Sequence, residues 1–512
     1  MRGGFGPDPA RPAPPDGLRT RCRRSNRCKE APETATALLR LAQRPPACYL
    51  AGIMPDQLPV PDLFETTIEK LITGGAGLGR CEGMAAFIPL TAPGDQVRAR
   101  ITRRKRGFIE AELTEVLSPG PGRVAAPACP HFGACGGCDL QHLDGAAQRA
   151  AKADIVVECF RRQGKLDVTG LLETPAPAGP EFGYRDRIRL STDHTGRHGL
   201  LRRGSQEVVP IDTCPQMPAL FNETILPWLR TMPPVQHVIV RLDGTGGFLV
   251  SLFGLPNRLR LLRAILKQLP DGEAPLPGCA GILFNNLPAW GRDYLLVRLA
   301  GRTYRVGANS FFQSNPAEAE AVVATARQWL DEARPAGGLL ADAYCGVGLF
   351  GLALADRFDH VLMVESEGGA VRDARINATH AKGLEATLEV HEGQAATALT
   401  GWAGAAEAQA AAAAAAEPAT GAGAAPPNPT RADWAGACVF VDPPRAGIGE
   451  AVTAAIERLA PRDILYLSCD PATLARDVAA LTAGGYAVRR LRMFDMFPQT
   501  AHVEVLAYLT RA

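Results

Sequence analysis

The chain has 512 residues, 46% of them apolar, and a formal net charge of +2. That length holds about two to four domains, the charge balance gives no whole-chain sign of a nucleic-acid partner, and no stretch reaches the roughly 18 uninterrupted apolar residues of a membrane span. The 13 cysteines are odd in number and unevenly spaced, which argues against a secreted disulfide framework and for metal or catalytic use in a reducing cytosol.

Residues 1–60 are rich in Arg, Pro and Ala, and Cys22, Cys28 and Cys48 lack metal-like spacing. No apolar core of a signal peptide is present, and Pro9, Pro12, Pro14 and Pro15 break the amphipathic helix of a transit peptide. A disordered extension is expected, with Met54 a natural first residue.

Residues 61–120 read as a small β-barrel. Phe64 to Ile72 alternates, Gly74 to Gly79 turns, Ala85 to Ile88 resumes, and Pro93-Gly94-Asp95 turns again. Strands are then expected over Gln96 to Thr102 and Phe108 to Val116, short and regularly spaced. Arg103, Arg104, Lys105 and Arg106 crowd one turn. A solvated hairpin tip is the plain reading; a phosphate-contacting edge is the functional one.

Residues 121–305 mix strands and helices and are expected to form an α+β central domain. Cys129, Cys135 and Cys138 give C-x5-C-x2-C with glycines between, a ligand pattern. Zinc would need a fourth ligand, with His131 or His142 at hand; spacing alone does not decide between zinc and iron–sulfur. A second basic cluster holds Arg185, Arg187, Arg189, Arg197, Arg202 and Arg203.

Residues 306–512 alternate strand and helix, the pattern of a doubly wound sheet. A low-complexity surface insertion is expected over 403–433, including the alanine run 410–416. Leu339 to Asp342 ends a strand, and Cys345-Gly346-Val347-Gly348 turns into a helix. Glu365 closes the next strand, about 20 residues beyond Gly346, which is the spacing of a nucleotide ribose ligand. Gly346, Gly348 and Gly351 fit a pyrophosphate-binding pattern. Asp342 would repel a pyrophosphate, however, and suits the cationic methionine end of S-adenosylmethionine.

Further on, the apolar run Ile464 to Leu467 delivers Ser468-Cys469-Asp470-Pro471, a thiol at the carboxyl end of a strand. Ligands of open α/β sheets sit there, so this thiol is placed to attack a bound substrate. A buried core cysteine is the plain alternative. Asp442-Pro443-Pro444-Arg445 invites comparison with amino-group methyltransferases, which place an aromatic ring where Arg445 stands. A guanidinium suits a phosphate or a uracil carbonyl instead. Many cytosine-5 enzymes carry their nucleophile as Pro-Cys in this segment, and this chain has none there.

With these motifs the sequence resembles the RNA 5-methyluridine methyltransferases from about Phe64 to Leu509. The resemblance rests on Asp342 to Gly348, Val441 to Gly447, Ser468 to Thr473 and Phe497-Pro498-Gln499-Thr500-Ala501-His502-Val503-Glu504, with Gly307 to Asn315 similar to the segment preceding the catalytic domain. It implies a TRAM-like (OB-like) barrel, a class I Rossmann-like methyltransferase domain and a cytoplasmic, monomeric enzyme acting on RNA. It implies Cys469 as nucleophile, Glu504 as base, and Gln313, Tyr344, Gly346, Gly348, Glu365 and Asp442 around S-adenosylmethionine. It also implies a [4Fe–4S] cluster on Cys129, Cys135, Cys138 and Cys214, the last a distant fourth ligand. Cys81, Cys159, Cys279, Cys345 and Cys438 are left as structural or incidental. Tyr344 stands where Phe is common, Asp470 where Asn is common, and Gly393-Gln394 where the family often has Asn or Asp.

The chemistry explains the residues. Uracil C5 is too weak a nucleophile to take a methyl group until a thiolate adds to C6; a base must then remove the C5 proton. The target base must leave its stack, so a loop or single-stranded uridine is expected. The cluster and barrel together point to 23S ribosomal RNA, with transfer RNA as the alternative. A catalytically inert RNA-binding iron–sulfur protein is the alternative of another class.

Overall fold

The computed structural model describes residues 63–175, 177–267, 273–415 and 429–512. The extension over 1–60 lies outside them. Among the described residues no helix is long and apolar enough to cross a membrane.

Six strands form the first layer: β1 (Leu63–Thr67), β2 (Lys70–Leu71), β3 (Gly77–Cys81), β4 (Met84–Ile88), β5 (Gln96–Lys105) and β6 (Phe108–Ser118), ordered β1-β5-β6-β4-β3-β2. Alternation buries Val97, Ala99, Ile109 and Ala111 inside with Ile68 and Ile88 and sends charge outward. The basic tip is less free than its sequence suggests. Glu110 lies across from Arg103 in register and pairs with Arg103 at 3.8 Å and Lys105 at 2.6 Å, while Arg104 reaches Glu82 at 3.9 Å.

Helix α1 (Gly145–Cys159) follows, with Asp144 capping its N-terminus through Ala147 N. The short strand β7 (Leu172–Glu173) comes next. The central sheet holds β8 (Arg187–Thr192), β9 (His198–Leu201), β10 (Val208–Pro210), β11 (His237–Leu242), β12 (Phe248–Phe253), β13 (Cys279–Phe284) and β14 (Leu287–Gly291), in the order β10-β9-β8-β11-β12-β13-β14. The hairpin of β15 (Tyr294–Leu299) and β16 (Arg302–Gly307) leads into the catalytic layer.

That layer is one eight-stranded sheet. Its strands are β17 (Leu339–Ala343), β18 (His360–Glu365), β19 (Thr387–Glu392), β20 (Cys438–Val441), β21 (Asp463–Ser468), β22 (Tyr486–Phe494) and β23 (Glu504–Arg511), ordered β19-β18-β17-β20-β21-β23-β22-β7. β19 to β21 run parallel, and β23 is antiparallel to both neighbours. The fully buried strands β20 (CVFV) and β21 (DILYLS) show the near-continuous apolar character of parallel strands covered on both faces. β7 pairs with β22, so a strand from the segment before the central sheet edges the catalytic sheet.

The expected insertion over 403–433 begins later than its composition suggests. A helix, Ala395–Ala415, runs into it, with Trp402, Ala403 and Ala406 in the core. Alanine is the strongest helix former, and its small side chain permits close packing. Glu407 pairs with Arg458 at 2.7 Å, tying this helix to the one over Gly449–Leu459. On the far side Trp434 is fully buried; residues 416–428 lie outside the described residues.

Candidate active site

The sheet reverses its order between β17 and β20: β17 has β18 on one side, leading to β19, and β20 on the other, leading to β21. A crevice opens outside the carboxyl ends at such a switch point. Tyr344 and Cys345 follow β17 there, and Asp442 follows β20. Gly346 and Gly348 take φ of +57° and +89°, a region open to glycine, which lets the loop turn into the helix Leu349–Leu354. Tyr344 also has φ +70°, a costly conformation for a ringed residue.

Carboxyl groups crowd this crevice. Glu365 ends β18 and receives Gly346 N at 3.0 Å and Ser366 N at 2.7 Å. Asp442 receives Gln313 Nε2 at 3.2 Å, and burial pushes its carboxyl up to about 7. Asp342 is fully buried; one oxygen receives Gly351 N at 2.7 Å, and the other has no partner. Burial, opposed by the Gly351 hydrogen bond and aided by Asp442 and Glu365, holds it near 7. Through Gly351 N it also pins the glycine loop. The six residues expected around the cofactor lie on segments converging on this crevice, and nearby Gly393 N donates to Glu365 O at 2.8 Å.

Cys469 stands just beyond β21, half-buried, as its strand-end position implies. Asp470 caps the following helix, Pro471–Ala483, by accepting from Ala472 N and Thr473 N; Asp and Asn perform this task equally well. Ser468 pairs with Val505 across the antiparallel β21–β23 ladder. Glu504, which opens β23, precedes Val505 and pairs with Phe494 of β22. Glu504 is 5% exposed, and its Oε2 has no partner. Burial, then Asp442, drives its carboxyl well above the usual range, with Arg445 opposing. Burial also pushes the Cys469 thiol up to about 12, helped by Glu504 and Asp442 and opposed by Arg445. Arg445 Nη2 in turn lies 3.2 Å from the ring nitrogens of His502, and His502 meets Phe497 edge-on at 6.0 Å.

The four cysteines expected as ligands line one cavity of about 410 Å³, which extends to Arg445, Phe497 and His502. Gly136 lets the cysteine loop approach β9: its N–H reaches Leu201 O at 2.9 Å, and a Cβ there would lie 2.8 Å from that oxygen. Cys214 is held by Asn222, which accepts from its N–H at 2.7 Å. Burial raises the thiols of Cys135, Cys138 and Cys214, and nearby thiols raise each of them further. Both polar side-chain atoms of Gln216 are buried on the cavity wall without partners, and Gln141 Oε1 accepts from Cys129 N at 3.0 Å. His142 does not line this cavity: its Nε2 lies 3.0 Å from Thr91 O, and its Nδ1 is buried without a partner. Among the described residues no group of three or more His, Cys, Asp or Glu side chains is arranged to hold a metal ion.

Sequence reasoning missed what shapes the segment from Asp495 to Glu504. Lys152 Nζ meets Asp495 Oδ1 at 2.6 Å and Phe497 O at 3.1 Å. Gln148 exchanges two hydrogen bonds of 2.9 Å with Gln499. Gln148, Ala151, Lys152, Ile155 and Cys159 share the buried face of α1. A lysine and a glutamine inside that apolar stripe were a readable sign of buried partners.

The chain matches the family profile described as tRNA (Uracil-5-)-methyltransferase over residues 290–386 and 430–512, and the TRAM domain profile over 64–114. It is 33% identical over 466 residues to an uncharacterized RNA methyltransferase of Streptomyces coelicolor, covering 88% of this chain and 93% of that one. An uncharacterized RNA methyltransferase of Aquifex aeolicus is 30% identical, with 87% and 98% covered. Among solved structures, the Pyrococcus abyssi tRNA (uracil-54, C5)-methyltransferase in complex with S-adenosyl-L-homocysteine shares the fold, with a TM-score of 0.61 at 24% identity over 87% of this chain and 100% of that one. The protein therefore belongs to the RNA 5-methyluridine methyltransferase family, as a TRAM-bearing, S-adenosylmethionine-dependent RNA (uracil-C5) methyltransferase.

Proposed function

We propose that the protein methylates C5 of a uridine in 23S ribosomal RNA through a covalent bond between Cys469 and uracil C6, as a cytoplasmic monomer. The observation that carries this reading is Glu504, which is buried, lacks a partner on Oε2, precedes the Val505 that pairs with Ser468, and acts on the Cys469 thiol. S-adenosylmethionine supplies an electrophilic methyl group. The acid-rich crevice of Glu365, Asp442 and Asp342 fits a ligand with ribose hydroxyls and positive charge. Gln313, Tyr344, Gly346 and Gly348 complete its walls.

The Cys469 thiolate adds to C6, and the ring's π electrons move onto O4 as an enolate. C5 then takes the methyl group. Glu504 removes the C5 proton, the C–H electrons restore the C5–C6 double bond, and the C6–S bond breaks to return the thiolate. Arg445 is the cation that favours the thiolate.

Cys129, Cys135, Cys138 and Cys214 would hold a [4Fe–4S] cluster, which supplies a covalent brace between loops distant in sequence. Four thiols lining one cavity support this reading. The cysteine set and barrel support 23S ribosomal RNA as target; the family description and the fold neighbour's own substrate keep transfer RNA as the second reading. RNA contact is best supported at Arg185, Arg187 and Arg189. These line the cysteine cavity, and among the described residues none has an ion-pair partner, unlike Arg197, Arg202 and Arg203.

The test uses methyl-labelled cofactor, 23S fragments or transfer RNA, and denaturing electrophoresis. Cys469→Ala should abolish both turnover and adduct. Glu504→Gln should trap a labelled protein–RNA band, because attack and methyl transfer do not need the base. An active Cys469→Ala overturns the covalent mechanism; label on transfer RNA alone overturns the target.

A further inference from the structure

The segment Asp495 to Glu504 carries Phe497, His502 and Glu504, yet much of its shape is set from outside the catalytic layer. Asp139 directly follows the third cysteine of the loop. Asp139 N and Leu140 N both donate to Gln499 O at 2.9 Å, and Asp139 Oδ2 accepts from Ala501 N at 3.0 Å. Its other oxygen pairs with Arg203. Gln148 and Lys152 of α1 hold Gln499, Asp495 and Phe497, and Tyr184 donates to Pro498 O at 3.1 Å. The barrel closes over the same point, since a Cβ on Gly75 would lie 2.9 Å from Ala501 Cβ. Gln499 sits at φ +70°, a conformation that persists only where its surroundings over-determine it.

The bonds on Gln499 and Ala501 lie three to five residues before Glu504, with His502 between. A carboxylate that must reach one ring proton tolerates little displacement. We propose that Asp139 is a positioning residue for Glu504. Through it, the order of the cysteine loop governs removal of the C5 proton and release of Cys469, and not the earlier attack. This rests on the covalent reading above. The step balances as written there: the C5–H electrons restore the ring double bond, the proton goes to Glu504, and the C6–S pair returns to sulfur.

The experiment compares wild type, Asp139→Ala, Asp139→Asn and Gln148→Ala as full-length protein, each checked for iron content and S-adenosylmethionine affinity. Single-turnover quenching separates adduct formation from adduct resolution. Asp139→Ala and Gln148→Ala should slow resolution by about tenfold to a hundredfold, the scale of a misplaced catalytic group, and so accumulate the labelled adduct. Adduct formation should change less than about twofold by the same argument. Asp139→Asn keeps an acceptor for Ala501 N and should resolve near the wild-type rate. If Asp139→Ala loses iron or folds poorly, Gln148→Ala, which lies on α1 and not in the cysteine loop, carries the test. Resolution at the wild-type rate in both, or formation and resolution falling together, overturns the proposal. Absence of any adduct in wild type overturns the covalent reading instead.

Discussion

Lys152 and Asp495 are 343 residues apart in the chain, yet their charged atoms meet at 2.6 Å with both side chains shielded from solvent. Burial lowers the lysine's proton affinity more than Asp495 restores it, so the pair sits at a net desolvation cost. Removing one partner is worse, because it strands the other charge. Lys152→Ala should lower unfolding stability by about 3–5 kcal/mol. Lys152→Met with Asp495→Leu should recover much of that loss. Urea unfolding followed by fluorescence checks both, with Lys152→Met and Asp495→Leu alone alongside; a double-variant loss equal to the sum of these two single losses would mean the pair is not coupled.

The Cys469 thiol, pushed up to about 12 by burial first and then by Glu504 and Asp442, is protonated in the empty enzyme at neutral pH. Its alkylation by iodoacetamide, read by mass spectrometry on its own peptide, should rise about tenfold per pH unit from 7 to 9, following the thiolate fraction. Arg445 opposes the shift, so Arg445→Ala should slow labelling at every pH in that range. Faster labelling of the variant would show that Arg445 shields the thiol rather than favouring its ionised form.

Asp442 titrates near 7 because burial disfavours its charge. Protonated below that pH and ionised above, it should attract a sulfonium more strongly as pH rises. Preference for S-adenosylmethionine over neutral-sulfur S-adenosylhomocysteine should widen by about tenfold between pH 6 and 8, a modest part of the ~4 kcal/mol for two unit charges at 4 Å in an intermediate dielectric. Calorimetric titration measures both ligands. Asp442→Asn should flatten the dependence; an unchanged slope would assign it to another carboxyl.

Much of this site was legible in the sequence because its pieces are local. A strand-end thiol, a glycine turn and an acid closing the next strand each occupy a few adjacent residues. The cross-chain relations were not. Nothing near Arg103 announces that Glu110 lies across the hairpin, so a run of four cations looked freer than it is. Lys152 sat visibly in the apolar face of α1, but its partner lay in another layer. The start of the segment 403–433 read as a surface insertion because only packing in the core shows that Ala403 and Ala406 are buried.

The cysteine cavity makes a claim about composition. Anaerobically purified protein should be brown and carry about four irons per chain, as a cubane on four thiolates requires. Cys214→Ala removes the ligand that no local spacing reveals and should deplete iron as fully as Cys135→Ala. Stoichiometric zinc without iron would refute the assignment.

The two basic clusters should respond unequally to mutation. Arg185, Arg187 and Arg189 occupy alternate positions and line one cavity, with successive pairs about 6.6 Å apart if the strand repeat holds. Among the described residues no carboxylate pairs with them, and the buried Nε atoms of Arg185 and Arg187 lack partners. Arg185 also lies over the Phe497 ring at 5.7 Å, so the row leads toward the segment that ends at Glu504. Three free guanidiniums facing a phosphate chain should each release counterions when RNA binds. Replacing all three with Ala should weaken RNA binding and reduce its log–log salt slope by about 2, at roughly 0.7 per single-strand phosphate contact. The barrel tip is the internal control. Glu110 and Glu82 already stand beside Arg103, Arg104 and Lys105, so replacing the run Arg103 to Arg106 releases fewer counterions and should shift the slope by less. Filter binding from low to moderate salt, with the same single-stranded fragment, reads both variants. A larger slope change at the tip than at the row would place the principal RNA track on the barrel and leave the arginine row as a counter-charge to the cysteine cavity.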